Sequence, residues 1–296
     1  MKLDKFYTQT EVATKCYRFL VNQLGLTEDE LFLEPSAGNG AFLSNLKNYI
    51  ALDIKPENEN IVQQDFLTYQ SEHNDLITIG NPPFGKRSKL AIDFFNKASS
   101  FSEVIAFIVP VSFMKWNVQK ELNTNFALRN FVYLKPESFM DGDKPYSIRT
   151  VFQIWVKKKS KYDNGIDLRL KKMPSIKHPD VEIWQYNATP ESVNTVEENW
   201  KYAVYRQGYH DYNLIFTHDN YEEIKTKMTQ PTKKQQFFFI NPLTEEAEKI
   251  VLSMDFNSLA ARNTATPGFG KGDFVDYYIE SKEREKNGNS KEHLYL

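Results

Sequence analysis

From Thr10 onward, apolar side chains at Val12, Cys16, Phe19, Leu20 and Leu24 recur at three- and four-residue intervals. That pattern predicts an amphipathic helix capped by Thr10 and stopped at Gly25. Shorter apolar runs follow. Residues 31–34, 49–54 and 75–80 predict buried strands, 40–46 the opening of a helix, and 89–98 a further helix. The unbroken apolar run 104–109 suits a central strand covered on both faces, and 150–157 is a last strong strand of this region. Strands alternating with helices imply parallel strands joined by helical crossovers, a doubly wound open α/β sheet. Ligands of such a sheet sit beyond the carboxyl ends of its strands.

Beyond residue 157 the texture changes. Lysine runs, Pro174, Pro179 and Pro190 interrupt weaker periodicity, with aromatic strand-like pieces at 200–205 and 237–240 and an amphipathic helix pattern at 245–254. Residues 263–272 are rich in glycine and threonine, and 281–289 form a charged stretch expected to fray. The expected organisation is a catalytic domain over 1–157 and a smaller α+β recognition module over 158–296. No internal repeat is present.

Composition narrows the partners. With 41% hydrophobic residues over 296 positions, the chain can bury a sizeable core. Its formal net charge of −2 conceals a basic stretch, in which Lys157, Lys158, Lys159, Lys161, Arg169, Lys171, Lys172 and Lys177 meet only Asp163 and Asp167. An anionic partner would favour that stretch. No run of about 18 apolar residues occurs, which predicts a soluble, cytoplasmic protein with no membrane partner. The single cysteine, Cys16, and five scattered histidines predict neither a disulfide nor a metal site.

Two acidic positions end expected strands, and a third acid is a further candidate. In Phe32-Leu33-Glu34-Pro35-Ser36-Ala37-Gly38-Asn39-Gly40, a strand enters a glycine turn, where Gly38 and Gly40 permit close ligand approach and Glu34 offers a carboxylate to an ammonium or ribose. Nineteen residues after Glu34, Asp53 ends the next strand, the distance at which an acid in dinucleotide folds binds ribose hydroxyls. Gln64-Asp65-Phe66 then offers a carboxylate for an adenine amino group and a ring for its face. Most specific is Asn81-Pro82-Pro83-Phe84, closing the strand 75–80. Its prolines leave nearby carbonyls free to accept. The Asn81 side-chain oxygen and the Pro82 carbonyl are suited to hold the two hydrogens of an exocyclic amine and turn its lone pair towards an electrophile. Phe84 is suited to stack on a base drawn out of a duplex.

With these motifs in this order, the chain resembles the class I S-adenosylmethionine-dependent adenine-N6 methyltransferases, its motif order similar to the gamma subgroup of DNA methyltransferases. The likeness covers Asp4 to about Lys157. It implies a Rossmann-like class I methyltransferase sheet, S-adenosylmethionine as cofactor and no metal. Phe6-Tyr7-Thr8-Gln9 resembles the leading motif, whose threonine holds the cofactor's carboxylate, a role implied for Thr8. Glu34, Ser36, Ala37 and Gly38 correspond to the methionine-binding turn, Asp53 and Ile54 to the ribose site, and Asp65 and Phe66 to the adenine site. Asn81 completes the cofactor contacts and opens the catalytic motif Asn81, Pro82, Pro83 and Phe84. Tyrosine is commoner at the last position, and phenylalanine keeps the stacking face. Phe139 stands where some members place a second base-stacking aromatic.

Nucleic-acid contacts are expected at Lys86, Arg87 and Lys89 after the catalytic loop and at Lys171, Lys172 and Arg206 behind it, with Tyr202, Tyr205, Tyr209, His210 and Tyr212 available to stack or pack. Thr266 to Lys271 matches no phosphate-binding loop and is unassigned. The expected activity is site-specific adenine methylation of double-stranded DNA by a monomer, in a restriction-modification or phage-type modification system. RNA adenine-N6 and protein glutamine methyltransferases carry similar catalytic motifs and stand as alternatives, as does a non-catalytic nucleic-acid-binding protein of the same fold.

Overall fold

The computed structural model describes residues 7–136, 138–141, 144–230, 235–263, 266–287 and 296. Phe6 of the leading motif and the end of the charged stretch 281–289 lie outside them. The chain divides into two compact units, Met1–Lys172 with His293–Leu296, and Met173–Glu292.

In chain order the first unit comprises β1 (Tyr7–Thr8), α1 (Thr10–Leu24), β2 (Phe32–Glu34), β3 (Tyr49–Asp53), β4 (Val62–Gln63), β5 (Leu76–Gly80), α2 (Lys89–Ala98), β6 (Ser102–Pro110), α3 (Trp116–Gln119), β7 (Phe126–Tyr133), β8 (Phe139–Asp141), β9 (Lys144–Tyr146) and β10 (Thr150–Lys157). A seven-stranded sheet runs β4-β3-β2-β5-β6-β10-β7, and β1, β8 and β9 form a separate three-stranded sheet. The apolar run of β6 splits by the two-residue period of a strand. Val104, Ala106 and Ile108 join the cluster containing Ala13, Cys16 and Leu20 of α1. Ile105, Phe107 and Val109 join the opposite cluster with Ala91, Ile92, Phe94 and Phe95 of α2. Burying a large apolar side chain in this way contributes about 1.5–3 kcal/mol. Each face of the sheet is therefore covered by its own helix.

Several expectations are corrected. α1 stops at Gly25, which adopts φ 64, but Gln9 occupies the cap and Thr10 is already helical. Residues 40–46 form no α-helix, only a 3-10 turn at Leu43–Asn45. Gly38 and Gly40 in this connection take positive φ, which an α-helix does not use. β10 is antiparallel to both β6 and β7. Between β7 and β10 the chain returns through β8 and β9 rather than through a crossover helix, which reverses the strand.

The first unit also extends to Lys172 rather than ending at 157. Leu168 N–H donates to Leu128 O at 2.8 Å. Arg169 donates to the carbonyls of Gln119, Leu122 and Asn123 and lies over the Trp155 ring at 4.9 Å. These contacts hold the linker to the sheet.

The second unit contains β11 (Val181–Gln185), β12 (Tyr202–Gln207), β13 (Ile215–Phe216), α4 (Tyr221–Thr229), β14 (Gln236–Pro242), α5 (Glu245–Ser253), α6 (Phe256–Ala260) and α7 (Lys271–Asn287). Its antiparallel sheet has the order β11-β14-β12-β13, giving an α+β module. The core is aromatic, with Tyr186, Trp200, Tyr205, Phe237, Phe238, Phe239 and Tyr278 almost fully buried. Thr244 caps α5 by accepting from Ala247 N–H at 3.1 Å. Residues 281–287 continue α7 instead of fraying. No helix among the described residues is long and apolar enough to cross a membrane.

Candidate active site

The strand order brings separated motifs together. Reading across β4, β3, β2 and β5, the positions at or just past the carboxyl ends are Asp65, Asp53, Glu34 and Asn81. All four line one cavity of about 280 Å³, with Pro82, Pro83 and Phe84. Every other expected cofactor residue also borders it, namely Thr8, Ser36, Ala37, Gly38, Ile54 and Phe66.

Backbone and side-chain bonds fix the cavity wall. Asp53 accepts from Gly38 N–H at 2.8 Å and from Lys55 N–H at 2.7 Å, so it braces the glycine turn. Each carboxylate oxygen keeps a further lone pair for a ligand hydroxyl. Asp65 accepts from Leu67 N–H at 2.9 Å. Ser36 Oγ donates to Asn81 O at 3.1 Å, and Asn81 Nδ2 donates to Thr8 Oγ1 at 3.2 Å. The leading motif, the glycine turn and the catalytic loop are thus tied at Asn81.

Glu34 is only 2% exposed, and its Oε2 is buried without a hydrogen-bond partner among the described residues. Burial, and secondarily the nearby Asp53 charge, hold its carboxyl well above the usual carboxylate range. A buried acceptor of this kind is costly until a donor reaches it.

Backbone strain marks the exit of the loop. Gly85 adopts φ 67 and ψ 177, and the next residues but one, Arg87 and Ser88, are left-handed at φ 54 and φ 63. Ser88 Oγ lies 2.8 Å from Ser112 Oγ. Lys86, Arg87 and Lys89 are exposed, with Lys89 paired to Asp93 at 2.6 Å.

One aromatic assignment changes. Phe139 is fully buried, paired with Thr8 across the β1–β8 ladder and packed in the α1-side core, so its ring has no face for a base. Phe66 borders the cavity but is 1% exposed, its ring held 5.0 Å from Phe94 and 6.0 Å from Phe101. Lys171 and Lys172 are exposed at the end of the first unit. Arg206, in the second unit, is half-buried and donates to Gln236. Tyr202, Tyr205 and Tyr212 are core residues there.

Tyr7, Leu90 and Phe94 are among the cavity residues that the motifs did not single out. Tyr7 donates to Glu57 Oε1 at 2.5 Å, and its ring comes within 3.5 Å of the place a Cβ on Gly38 would occupy. Leu90 and Phe94 add an apolar wall. Their i, i+4 spacing on α2 was the available signal.

No protein-family model and no curated protein matches the sequence. Solved structures do resemble it. A proposed RNA methyltransferase from Pyrococcus horikoshii is 20% identical over 52% of this chain and 87% of its own, with a TM-score of 0.43. The methyltransferase subunit of a type I restriction-modification system from Streptococcus thermophilus is 18% identical over 53% of this chain and 47% of its own, with a TM-score of 0.42. A proposed class I S-adenosylmethionine-dependent methyltransferase from Listeria monocytogenes is 12% identical over 56% of this chain and 64% of its own, also at 0.42. The chain thus spans about half the length of the restriction-system subunit. The first unit has a doubly wound, Rossmann-like α/β sheet, with its one reversed strand, β10, between β6 and β7.

Proposed function

We propose that the chain transfers the methyl group of S-adenosylmethionine to the N6 amino group of adenine in DNA, as a site-specific modification enzyme. One observation carries the reading: Glu34, Asp53, Asp65 and the Asn81–Phe84 loop line a single cavity at the carboxyl ends of neighbouring parallel strands.

The residues present suit that cofactor. Glu34 brings a buried acceptor in need of a donor, which the ammonium of the methionine part would provide. Asp53 is positioned for the ribose hydroxyls and Asp65 for the adenine amine, while Phe42, Leu90 and Phe94 supply apolar wall. When bound, S-adenosylmethionine supplies an electrophilic methyl group and its own leaving group as a sulfonium. The protein's part is orientation. Asn81 and the Pro82 carbonyl accept the hydrogens of the target amine and thereby aim its lone pair, and Phe84 stacks on the extruded base. Lys86 and Arg87, exposed beside the loop, supply phosphate contacts.

The test is incubation with labelled cofactor and, separately, duplex DNA, single-stranded DNA, RNA and peptide, followed by mass spectrometry of the product. N6-methyldeoxyadenosine from duplex DNA is expected. Label on RNA alone or on a glutamine side chain would overturn the substrate. Asn81→Ala should abolish transfer while cofactor binding persists; transfer at the wild-type rate would overturn the assignment of the loop.

A further inference from the structure

Among the described residues, Glu34, Asp53, Asp65 and Tyr7 are the titratable groups on the cavity of the first unit, and no lysine, arginine or histidine borders it. Three carboxyls thus share a cavity without a cation. They differ in what surrounds them. Asp53 accepts from the Gly38 and Lys55 N–H groups and Asp65 from Leu67 N–H. Glu34 Oε2 is buried and meets no donor among the described residues. Donors on neighbouring segments serve other acceptors: Tyr7 Oη donates to Glu57, Ser36 Oγ to the Asn81 carbonyl, and Asn81 Nδ2 to Thr8. The strands on either side of β2 bring no counter-charge. On the β3 side stands Asp53, whose like charge opposes ionisation of Glu34. On the β5 side lies Gly80, where a Cβ would stand 3.5 Å from Glu34 Cγ.

A carboxylate held out of water with neither a donor nor a cation is far costlier than a neutral carboxyl. The burial of the oxygen and the sign of its neighbours therefore both favour the protonated form in the free protein, which is the direction in which its pKa is displaced. A ligand ammonium at Glu34 reverses both conditions, since it brings N–H donors and a positive charge.

We propose that Glu34 is protonated in the free protein and gives its proton to solvent when S-adenosylmethionine binds, so that cofactor affinity rises with pH. The inference rests on the cofactor named above. In this step the Glu34 O–H bond breaks, its electron pair stays on the carboxylate, and the carboxylate pairs with the ammonium. The proton goes to the buffer, and the ligand keeps its own charge. While the free protein holds the proton, affinity rises about tenfold per pH unit. Once pH passes the value at which free Glu34 ionises, the dependence stops.

Calorimetric titration of the full chain with S-adenosylmethionine, in buffers of different ionisation enthalpy, counts the protons released. It is run from about pH 5 to 7, where an α-amino group with its ordinary pKa of about 7.7–8.0 stays charged. Release of about one proton at the acid end, with the tenfold rise in affinity, is expected. Infrared difference spectra of the wild type should lose the carbonyl band of a protonated carboxyl when cofactor is added, and those of Glu34→Gln should not. Methylthioadenosine, which lacks the ammonium, should bind without releasing a proton. Cofactor binding with no proton released and no band lost would overturn the proposal and leave the cofactor assignment standing. The same band loss in Glu34→Gln, or equal release with methylthioadenosine, would overturn it by assigning the proton to another group. Absence of cofactor binding at every pH would overturn the cofactor reading and this inference with it. The wild-type proton count and spectra decide the proposal by themselves if Glu34→Gln does not fold.

Discussion

Gly85 closes the Asn81–Phe84 loop, and replacing it with alanine asks whether the position of that loop governs transfer as well as folding. At φ 67 and ψ 177 the residue occupies backbone space that is essentially glycine's alone, and another residue there costs on the order of 1–3 kcal/mol. A Cβ would also stand 2.8 Å from Leu90 Cβ and 3.2 Å from Leu90 N, against about 3.5–4.0 Å for carbon atoms in ordinary contact. Overpacking of that kind costs about 1–3 kcal/mol. Gly85→Ala should therefore cost roughly 2–6 kcal/mol if nothing moves. That is a large share of the about 5–15 kcal/mol that holds a domain together, so the loop or the first turn of α2 should shift instead. A displacement of about 1 Å at reacting groups is enough to lower a rate by about a hundredfold.

The contact atom permits a sharper test. Because it is Leu90 Cβ, Leu90→Ala leaves the clash in place, whereas Leu90→Gly removes it at about 1 kcal/mol of helix propensity. Urea denaturation and single-turnover methyl transfer should show a lowered midpoint and rate for Gly85→Ala. No recovery is expected on adding Leu90→Ala, and partial recovery on adding Leu90→Gly. A Gly85→Ala protein with the wild-type midpoint and rate would refute the reasoning, as would rescue by Leu90→Ala equal to that by Leu90→Gly.

Asp53→Ala should weaken cofactor binding more than loss of a ligand contact alone explains, because Gly38 and Lys55 lose the acceptor that braces the glycine turn; an unchanged dissociation constant by calorimetry would sink that role. Glu34 gives a pH signature. With its carboxyl held above the ordinary 4.5 by burial and then by Asp53, the folded protein retains a proton that the unfolded chain releases. Its contribution to stability therefore falls as pH rises from the unfolded value towards the folded one, by about 1.4 kcal/mol per unit of separation. Glu34→Gln should melt with the wild type below that window and increasingly above it as pH rises, in the absence of cofactor; parallel melting curves from pH 4 to 8 would count against a buried, proton-holding Glu34.

What was legible in the sequence followed from covering and spacing. β6 could be read because an apolar run without polar breaks must be buried on both faces, and its alternate residues do divide between the α1 and α2 sides. Glu34, Asp53 and Asn81 could be read because each closes an apolar run, and parallel neighbours bring such ends together, whereas the two-residue β4 before Asp65 leaves no such pattern. The reversal of β10 was not legible, since a strand's apolar pattern is the same in either direction. Aromatic function was equally hidden. Phe139, Tyr202 and Tyr212 have the composition of a stacking surface, yet they are packed in cores where no base reaches them. Charge misled in the same way: Arg169 belongs to a basic stretch suited to phosphates, but three main-chain carbonyls and the Trp155 ring hold it. A sequence records that a guanidinium is present and leaves out which acceptors the fold places around it.

The bonds at Asn81 join two tasks that the motifs present as separate. Thr8 and Ser36 belong to segments suited to the cofactor, and both hydrogen-bond to Asn81, one at its side-chain amide and the other at its backbone carbonyl. The Asn81 amide that engages Thr8 is part of the same carboxamide that must present its oxygen to the target amine. Any movement of Thr8 towards a cofactor carboxylate would consequently alter the hold on that carboxamide. If cofactor binding changes the affinity for the target base in this way, linkage requires the base to change the affinity for cofactor by the same factor. The coupling needs no long-range pathway, because the two sites share a single side chain.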